Sequence, residues 1–220
     1  MENVFARRSL GKDEKVISEH TYNFIIGLTL CWGFGINYLM VKYVPAEYAL
    51  QYGYLPFIIA YFALCFLGIY LFSKSDNPAI SFLGYNLVVV PFGFIINLVV
   101  VQYDPSIVIQ AVQLTGIVTA IMMVLGSLYP AFFKKIAGAL TIALISMIIV
   151  ELVAIFIFKM HHTIIDWIVA AIFCGYIGYD WGRAQRIPKT VDNAVDSAAA
   201  LYMDIINLFI RLLRILGSRR

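Results

Sequence analysis

The sequence contains few charged residues. Asp, Glu, Lys and Arg make up 13% of the 220 residues, whereas a soluble domain of this size carries about 25%. Hydrophobic residues make up 62%, in long continuous runs rather than in the alternating pattern of a membrane β-barrel. The composition therefore leaves no room for a separate soluble domain and predicts an all-α integral membrane protein, with the lipid bilayer as its surroundings.

The sequence also lacks the motifs of the common enzyme classes. It has no HExxH, no Gly-rich phosphate loop and no Ser–His constellation, and its three cysteines show no CxxC spacing. Tyr179-Asp180 matches the YD half of the intramembrane aspartyl protease pattern, but the GxGD half is absent because Leu-Tyr-Met precedes Asp204. We therefore expect no enzymatic activity, no tightly bound cofactor and no nucleic-acid partner.

Six hydrophobic segments are each long enough to span a bilayer. They cover residues 22–43, 54–73, 78–101, 106–129, 136–158 and 164–184, and a last segment follows over 197–216. Residues 1–21 are polar and contain no apolar stretch typical of a cleaved signal peptide. The predicted organisation is a polar N-terminus over 1–21, one seven-helix membrane domain over 22–217 and a short tail over 218–220.

Lys and Arg are distributed unevenly between the two sides of the predicted spans. The N-terminus and the loops on its side hold ten of them before the last segment, against two (Lys42 and Lys159) in the opposite loops. The positive-inside rule therefore places the N-terminus in the cytoplasm.

The last hydrophobic segment carries a narrow polar stripe. Asp204, Asn207, Arg211 and Arg214 fall within an arc of about 80° on a helix that is otherwise apolar. Two interpretations compete: an amphipathic helix lying on the membrane surface, or a seventh transmembrane helix enclosed by the other six. Because the stripe is narrow and its flanks are strongly apolar, we predict the enclosed helix.

Asp180 and Asp204 lie in apolar helices, where a carboxylate costs several kcal/mol unless it is protonated, paired or hydrated. Suppose that a turn near Pro188 separates the two helices and that Asp192 caps the second. The depths of the two acids in the membrane then differ by no more than about 6 Å. We therefore predict that they meet. The alternative is that Asp180 turns towards Arg183, and that Asp204 pairs with Arg211 or Asn207.

Two carboxyl groups in contact cannot both ionise cheaply, so the pair would hold one shared proton. Loss of that proton would leave two carboxylates that repel each other and attract a cation, which makes Asp180 and Asp204 a candidate pH sensor and divalent-cation site. Glu151, well inside the fifth segment, is either a protonated structural residue or a second station for a cation or proton.

The segments GYIGYDWGRAQ and LYMDIINLFIRLLRILG resemble the C-terminal signature of the Bax inhibitor-1 family, especially its bacterial members, over about residues 176–217. The resemblance implies seven helices with the last one surrounded, a pH-sensitive calcium leak, and an aspartate dyad at Asp180 and Asp204. Some members carry a latch arginine in the second helix, but segment 54–73 has none. Arg211 or Arg214 would have to supply such a latch here, unless gating differs.

The sequence thus predicts a pH-sensitive, calcium-permeable leak channel in a bacterial inner membrane. Ca²⁺ would be the permeant ion and H⁺ the regulator. Asp180 and Asp204 would form the gating dyad, with Asn207, Arg211, Arg214 and Glu151 as candidate pore or latch residues. Two alternatives stay open: a non-transporting regulator that binds a protease or another membrane protein, and a proton-coupled solute transporter.

Overall fold

Seven α-helices account for most of the described residues. The computed structural model describes residues 15–156 and 163–218, and no β-strand occurs within those ranges. A short 3-10 helix, Ala46–Leu50, precedes the second helix. The α-helices are α1 Glu19–Tyr43, α2 Tyr54–Lys74, α3 Pro78–Val100, α4 Pro105–Leu128, α5 Pro130–Phe156, α6 Thr163–Ala184 and α7 Val191–Gly217.

Local capping explains where several helices begin. Ser18 Oγ accepts a hydrogen bond from the Thr21 amide (3.1 Å) and caps α1. Asn77 Oδ1 accepts one from the Ala79 amide (2.9 Å) and caps α3. Three prolines occupy the first position of α3, α4 and α5, where the missing N–H has no intrahelical partner in any case. These three prolines thus start helices.

Two predicted helix starts are wrong. We expected the fifth hydrophobic segment to begin at 136, but α5 begins at Pro130 and includes Lys134 and Lys135. Proline fits the first helical turn, so it did not end the element. We expected Asp192 to cap the last helix, but Thr190 does so, because its Oγ1 accepts the Asn193 amide (3.1 Å). Asp192 instead accepts a hydrogen bond from Ser81 Oγ (2.7 Å).

Six of the described helices are long and apolar enough to cross a membrane, namely α1 to α6. This confirms a multi-pass, all-α integral membrane protein. The 27-residue helix α7 also forms, but its charged residues set it apart from the other six by composition. The count of seven spans, the enclosure of α7 and the single domain over 22–217 stay predictions.

Parts of several predictions lie outside the described residues. The charge bias that orients the chain relies partly on Arg7, Arg8, Lys12 and Lys159, and the predicted tail includes Arg219 and Arg220.

The first of two compact units consists of α1, α2, α3 and the start of α7, up to Tyr202. Its core contains large aromatic side chains with satisfied hydroxyl groups. Tyr85 Oη donates to Thr29 O (3.0 Å), and Tyr202 Oη donates to Asn37 Oδ1 (2.5 Å). Asn37 Nδ2 in turn donates to Val89 O (3.0 Å). These buried bonds hold the first part of α7 against α1.

The segment between α6 and α7 is fixed to the start of α1 within this unit. The Ile17 amide donates to Lys189 O (2.8 Å), and Lys189 Nζ lies 4.5 Å from the centre of the Tyr22 ring. Burial lowers the pKa of the Lys189 ammonium, and the Glu19 carboxylate acts in the opposite direction. Tyr22 Oη lies 2.9 Å from Ser197 Oγ, so the beginning of α7 has a defined position.

The second unit consists of α4, α5, α6 and α7 from Met203 onwards. Its helix α6 contacts both α4 and α5. Glycines allow the backbones of α4 and α6 to touch: a Cβ at Gly182 would lie 2.8 Å from Gly126 O, and a Cβ at Gly126 would overlap Gly178 O. Because Asp180 lies between Gly178 and Gly182, this close approach fixes its position along α4.

Replacing Gly126 with alanine should destabilise the protein by about 1–3 kcal/mol, because the new methyl group meets a backbone carbonyl that cannot rotate away. Gly116 on the same helix has no atom within 4 Å of the place that a new methyl group would take, so Gly116→Ala is the matched control and should be neutral or slightly stabilising. Thermal unfolding of both variants in detergent checks the difference. Equal transition temperatures would contradict the close α4–α6 contact.

Candidate functional site

Asp180 on α6 and Asp204 on α7 are brought together in the second unit. Their carboxyl groups lie close enough to act on each other electrostatically, and to form a hydrogen bond if one of them is protonated. Asp204 is 7% exposed, and its Oδ2 has no hydrogen-bond partner among the described residues. Because a carboxylate has no proton to donate, a hydrogen bond between two carboxyl groups requires one of them to keep its proton. The geometry therefore suits one shared proton.

Two further side chains of α6 act electrostatically on the pair. Arg183, three residues after Asp180, contributes a positive charge to it. Tyr176, four residues before Asp180, interacts with both aspartates. Its hydroxyl donates to Thr141 Oγ1 on α5 (3.0 Å), so α5 also takes part in this polar region. Both Asp204 and Arg183 therefore act on Asp180.

A second charged cluster joins α5, α6 and α7. Arg211 Nη2 and Nη1 bind Glu151 Oε2 and Oε1 at 2.7 and 2.8 Å, and Nη1 also binds Asp166 Oδ1 at 2.9 Å. Arg214 Nη1 lies 3.3 Å from Glu151 Oε1 and 3.8 Å from Asp166 Oδ1. The forked guanidinium of Arg211 matches a carboxylate with two parallel bonds. Glu151 is therefore held as a charged partner of Arg211.

A cavity of about 410 Å³ lies beside this cluster. Arg214, whose side chain is 32% exposed, forms part of its wall, whereas Asp166 is 1% exposed. The cavity is lined by Tyr103, Glu151, Thr163, Asp166, Arg214, Gly217 and Ser218. The more loosely held arginine thus faces open space, and Arg211 is enclosed between two acids.

Among the described hydrogen bonds and ion pairs, the predicted latch residues bind partners other than the aspartate pair. Arg211 and Arg214 are two and three helical turns beyond Asp204, at the level of Glu151 and Asp166, and both bind those acids. Asn207 Nδ2 donates to Met203 O in its own helix (2.8 Å). The alternative pairing of Asp204 with Arg211 or Asn207 is absent from the described hydrogen bonds for the same reason.

Asp166 is a site residue that sequence reasoning missed. It lies in the first turn of α6, where an acid is unremarkable. Helical spacing would have identified it: Asp166 is fourteen residues before Asp180, and Arg211 is seven residues after Asp204, so each pair lies on one face of its helix. Each helix therefore carries two charged residues on the same face, one in the aspartate pair and one in the Arg211 cluster.

Replacing Arg211 with methionine should destabilise the protein by roughly 3–5 kcal/mol, because it leaves two acids without their main cation. Arg214→Met is the matched control and should cost much less, since Arg214 is more exposed and its contacts are longer. Adding Glu151→Gln and Asp166→Asn to Arg211→Met should recover part of the loss. Thermal unfolding measures all three; equal losses for the two single variants would contradict the assigned roles.

Comparison with known proteins places the chain in a family. The model of the family described as "Inhibitor of apoptosis-promoting Bax1" matches residues 14–220. An uncharacterized Helicobacter pylori protein is 29% identical over 98% of this chain and 93% of its own length. An uncharacterized membrane protein of Streptococcus pyogenes is 32% identical (57% of this chain, 58% of the relative), and Protein LIFEGUARD 3 of Arabidopsis thaliana is 28% identical (67% and 61%). The chain belongs to the Bax inhibitor-1 family.

Proposed function

We propose that the protein is a pH-sensitive, calcium-permeable leak channel, and that the aspartate pair Asp180–Asp204 controls ion passage. The observation that carries the proposal is the close approach of the two carboxyl groups, one on α6 and the other on α7. In its singly protonated state the pair links the two helices and keeps the path closed. The proton is thus the regulator, and Ca²⁺ is the permeant ion.

Deprotonation changes both the force between the helices and the affinity for cations. Two carboxylates in contact repel each other, and the repulsion is stronger in a buried site than in water. They also offer up to four oxygen atoms, and Ca²⁺ prefers oxygen ligands but takes six to eight of them. A pair of carboxylates therefore binds Ca²⁺ weakly, as a site for passage requires. Flux should rise with pH.

The proposed topology has seven spans, with α7 enclosed by the other six, the N-terminus in the cytoplasm of a bacterial cell and the C-terminus on the opposite side. The partners of α7 support this proposal. An interfacial helix directs its arginines at lipid headgroups. Arg211 instead uses its whole fork on acids of α5 and α6, and its side chain is 15% exposed. The Glu151–Arg211 cluster would then be a second charged station of the path.

A non-transporting regulator is the second candidate. It is favoured by the family description, "Inhibitor of apoptosis-promoting Bax1". In that case the protein would bind another membrane protein, such as a protease, and it would copurify with a stoichiometric partner while showing no flux. Neither candidate requires an enzymatic activity or a tightly bound cofactor.

Asn at position 180 or 204 should abolish the pH dependence of calcium flux. Asparagine resembles a neutral carboxyl group and cannot lose a proton, so Asp180→Asn and Asp204→Asn should keep flux low from pH 6 to about pH 8, where wild-type flux rises. Asp192→Asn, which neutralises another buried acid of α7, is the control and should retain the wild-type profile. Proteoliposomes with an enclosed calcium dye provide the measurement. Unchanged pH dependence in the first two variants would refute the gating role.

Cysteine labelling tests the seventh span. In a background without Cys31, Cys65 and Cys174, a cysteine at position 218 should react with an impermeant maleimide added to intact cells. A cysteine at position 74, on the predicted cytoplasmic side, should react only after permeabilisation. Residues 74 and 218 are both exposed, so accessibility of the side chain does not limit either reaction. Labelling of position 218 only from the cytoplasm would contradict a full span.

A further inference from the structure

Tyr176 belongs to a directed chain of hydrogen bonds beside the aspartate pair. Its hydroxyl donates to Thr141 Oγ1 on α5 (3.0 Å), and Thr141 Oγ1 donates to Ala137 O one turn earlier (3.1 Å). A hydroxyl group has one proton and two lone pairs. Because the Thr141 proton is used by the Ala137 carbonyl, Thr141 can only accept from Tyr176. The phenol proton of Tyr176 is therefore committed to α5.

The helical position of Tyr176 brings it to the aspartate pair. Residues four apart lie on the same face of a helix with their Cβ atoms about 5–6 Å from each other, so Tyr176 and Asp180 are neighbours on α6. Tyr176 interacts electrostatically with both Asp180 and Asp204. The other titratable or charged groups that act here are Tyr179, which acts on Tyr176, and Arg183, which acts on Asp180.

We propose that Tyr176 is a positioning residue that sets the pH at which the aspartate pair releases its proton, through a phenol oxygen that Thr141 restricts to accepting. This inference rests on the proposed function and adds its regulation. Because the phenol proton of Tyr176 is directed at Thr141, the phenol oxygen offers only its lone pairs to the two aspartates. Lone pairs favour a protonated carboxyl or a cation and disfavour two bare carboxylates. The Tyr176–Thr141 bond thus keeps the pair protonated to higher pH.

The proposal predicts an order of effects that a purely structural role does not. Tyr176→Phe removes the oxygen and its lone pairs, so the pH midpoint should fall by a few tenths of a unit. Thr141→Val keeps the tyrosine but removes its acceptor, so the freed phenol proton can donate to a carboxylate. Hydrogen bonds to charged groups are stronger than neutral ones, so this midpoint should fall further, by about one pH unit. Thr141→Ser keeps the hydroxyl and should restore the wild-type midpoint.

The chain offers a matched control on the other side of α6. Trp181 Nε1 donates to Ser127 Oγ on α4 (2.8 Å), and Ser127 Oγ donates to Met123 O (3.0 Å). These two hydrogen bonds are arranged in the same way as those through Tyr176 and Thr141, and Trp181 directly follows Asp180. An indole N–H has no lone pair to present. Ser127→Ala therefore breaks an equivalent interhelical bond and should leave the pH midpoint unchanged.

Two readouts separate this inference from the proposed function. The first is the pH midpoint of calcium flux in proteoliposomes. The second is the infrared band of the protonated carboxyl group, assigned as the band lost in Asp204→Asn and followed during a pH titration of the full-length protein. The band reports the proton whether or not ions pass. If it titrates and the variants shift it as described while flux is absent, the inference holds and the leak channel fails.

Other outcomes overturn the inference. If wild-type flux depends on pH but Tyr176→Phe and Thr141→Val leave both midpoints in place, the channel proposal stands and the role of Tyr176 fails. A shift for Ser127→Ala as large as that for Thr141→Val would mean that any broken bond on α6 has this effect. A smaller fall for Thr141→Val than for Tyr176→Phe would contradict the direction of the hydrogen bonds.

Discussion

Charge burial is the constraint on which the second unit depends, because an unpaired carboxylate inside an apolar helix bundle costs several kcal/mol. Four acids of this unit meet it in two ways. Glu151 and Asp166 share the guanidinium of Arg211, which binds both within 2.9 Å. Asp180 and Asp204 lie next to each other, and one shared proton would reduce the charge of the pair from two to one. The Arg211 cluster links α5, α6 and α7, and the aspartate pair joins α6 to α7.

The two solutions differ in how they respond to pH. A guanidinium stays charged at any pH that a cell experiences, so the Arg211 cluster keeps its attraction throughout. The proton of a carboxyl pair exchanges with the surroundings, so its attraction can turn into repulsion. One linkage is therefore permanent and the other conditional. The proposed pH response therefore depends on Asp180 and Asp204. The Arg211 cluster on the same helices would stay intact when the two aspartates separate.

The sequence predicted the helices and an interaction between the two aspartates because both follow from strong local signals. Long apolar runs define α1 to α6, and two acids in such runs have few ways to avoid their desolvation cost. The predictions that failed concern residues whose partners lie on other helices. Asp192 looks like a cap, but Ser81 of α3 binds it, and Thr190 caps α7. In the sequence, Arg211 is a possible partner for Asp204 on the same helix. In the structure, two acids on other helices bind its guanidinium instead.

The polar stripe of α7 is explained by this division of partners. Within the described chain, the charged residues of the stripe have specific protein partners: Asp204 interacts with Asp180, and Arg211 binds Glu151 and Asp166. A surface helix needs only a generally hydrated polar face, which tolerates many side chains in loose geometry. Individually matched acids and a bidentate arginine instead require neighbouring helices at fixed positions. The stripe is narrow because a few specific protein groups bind its polar residues. This favours a helix whose polar residues face protein rather than headgroups.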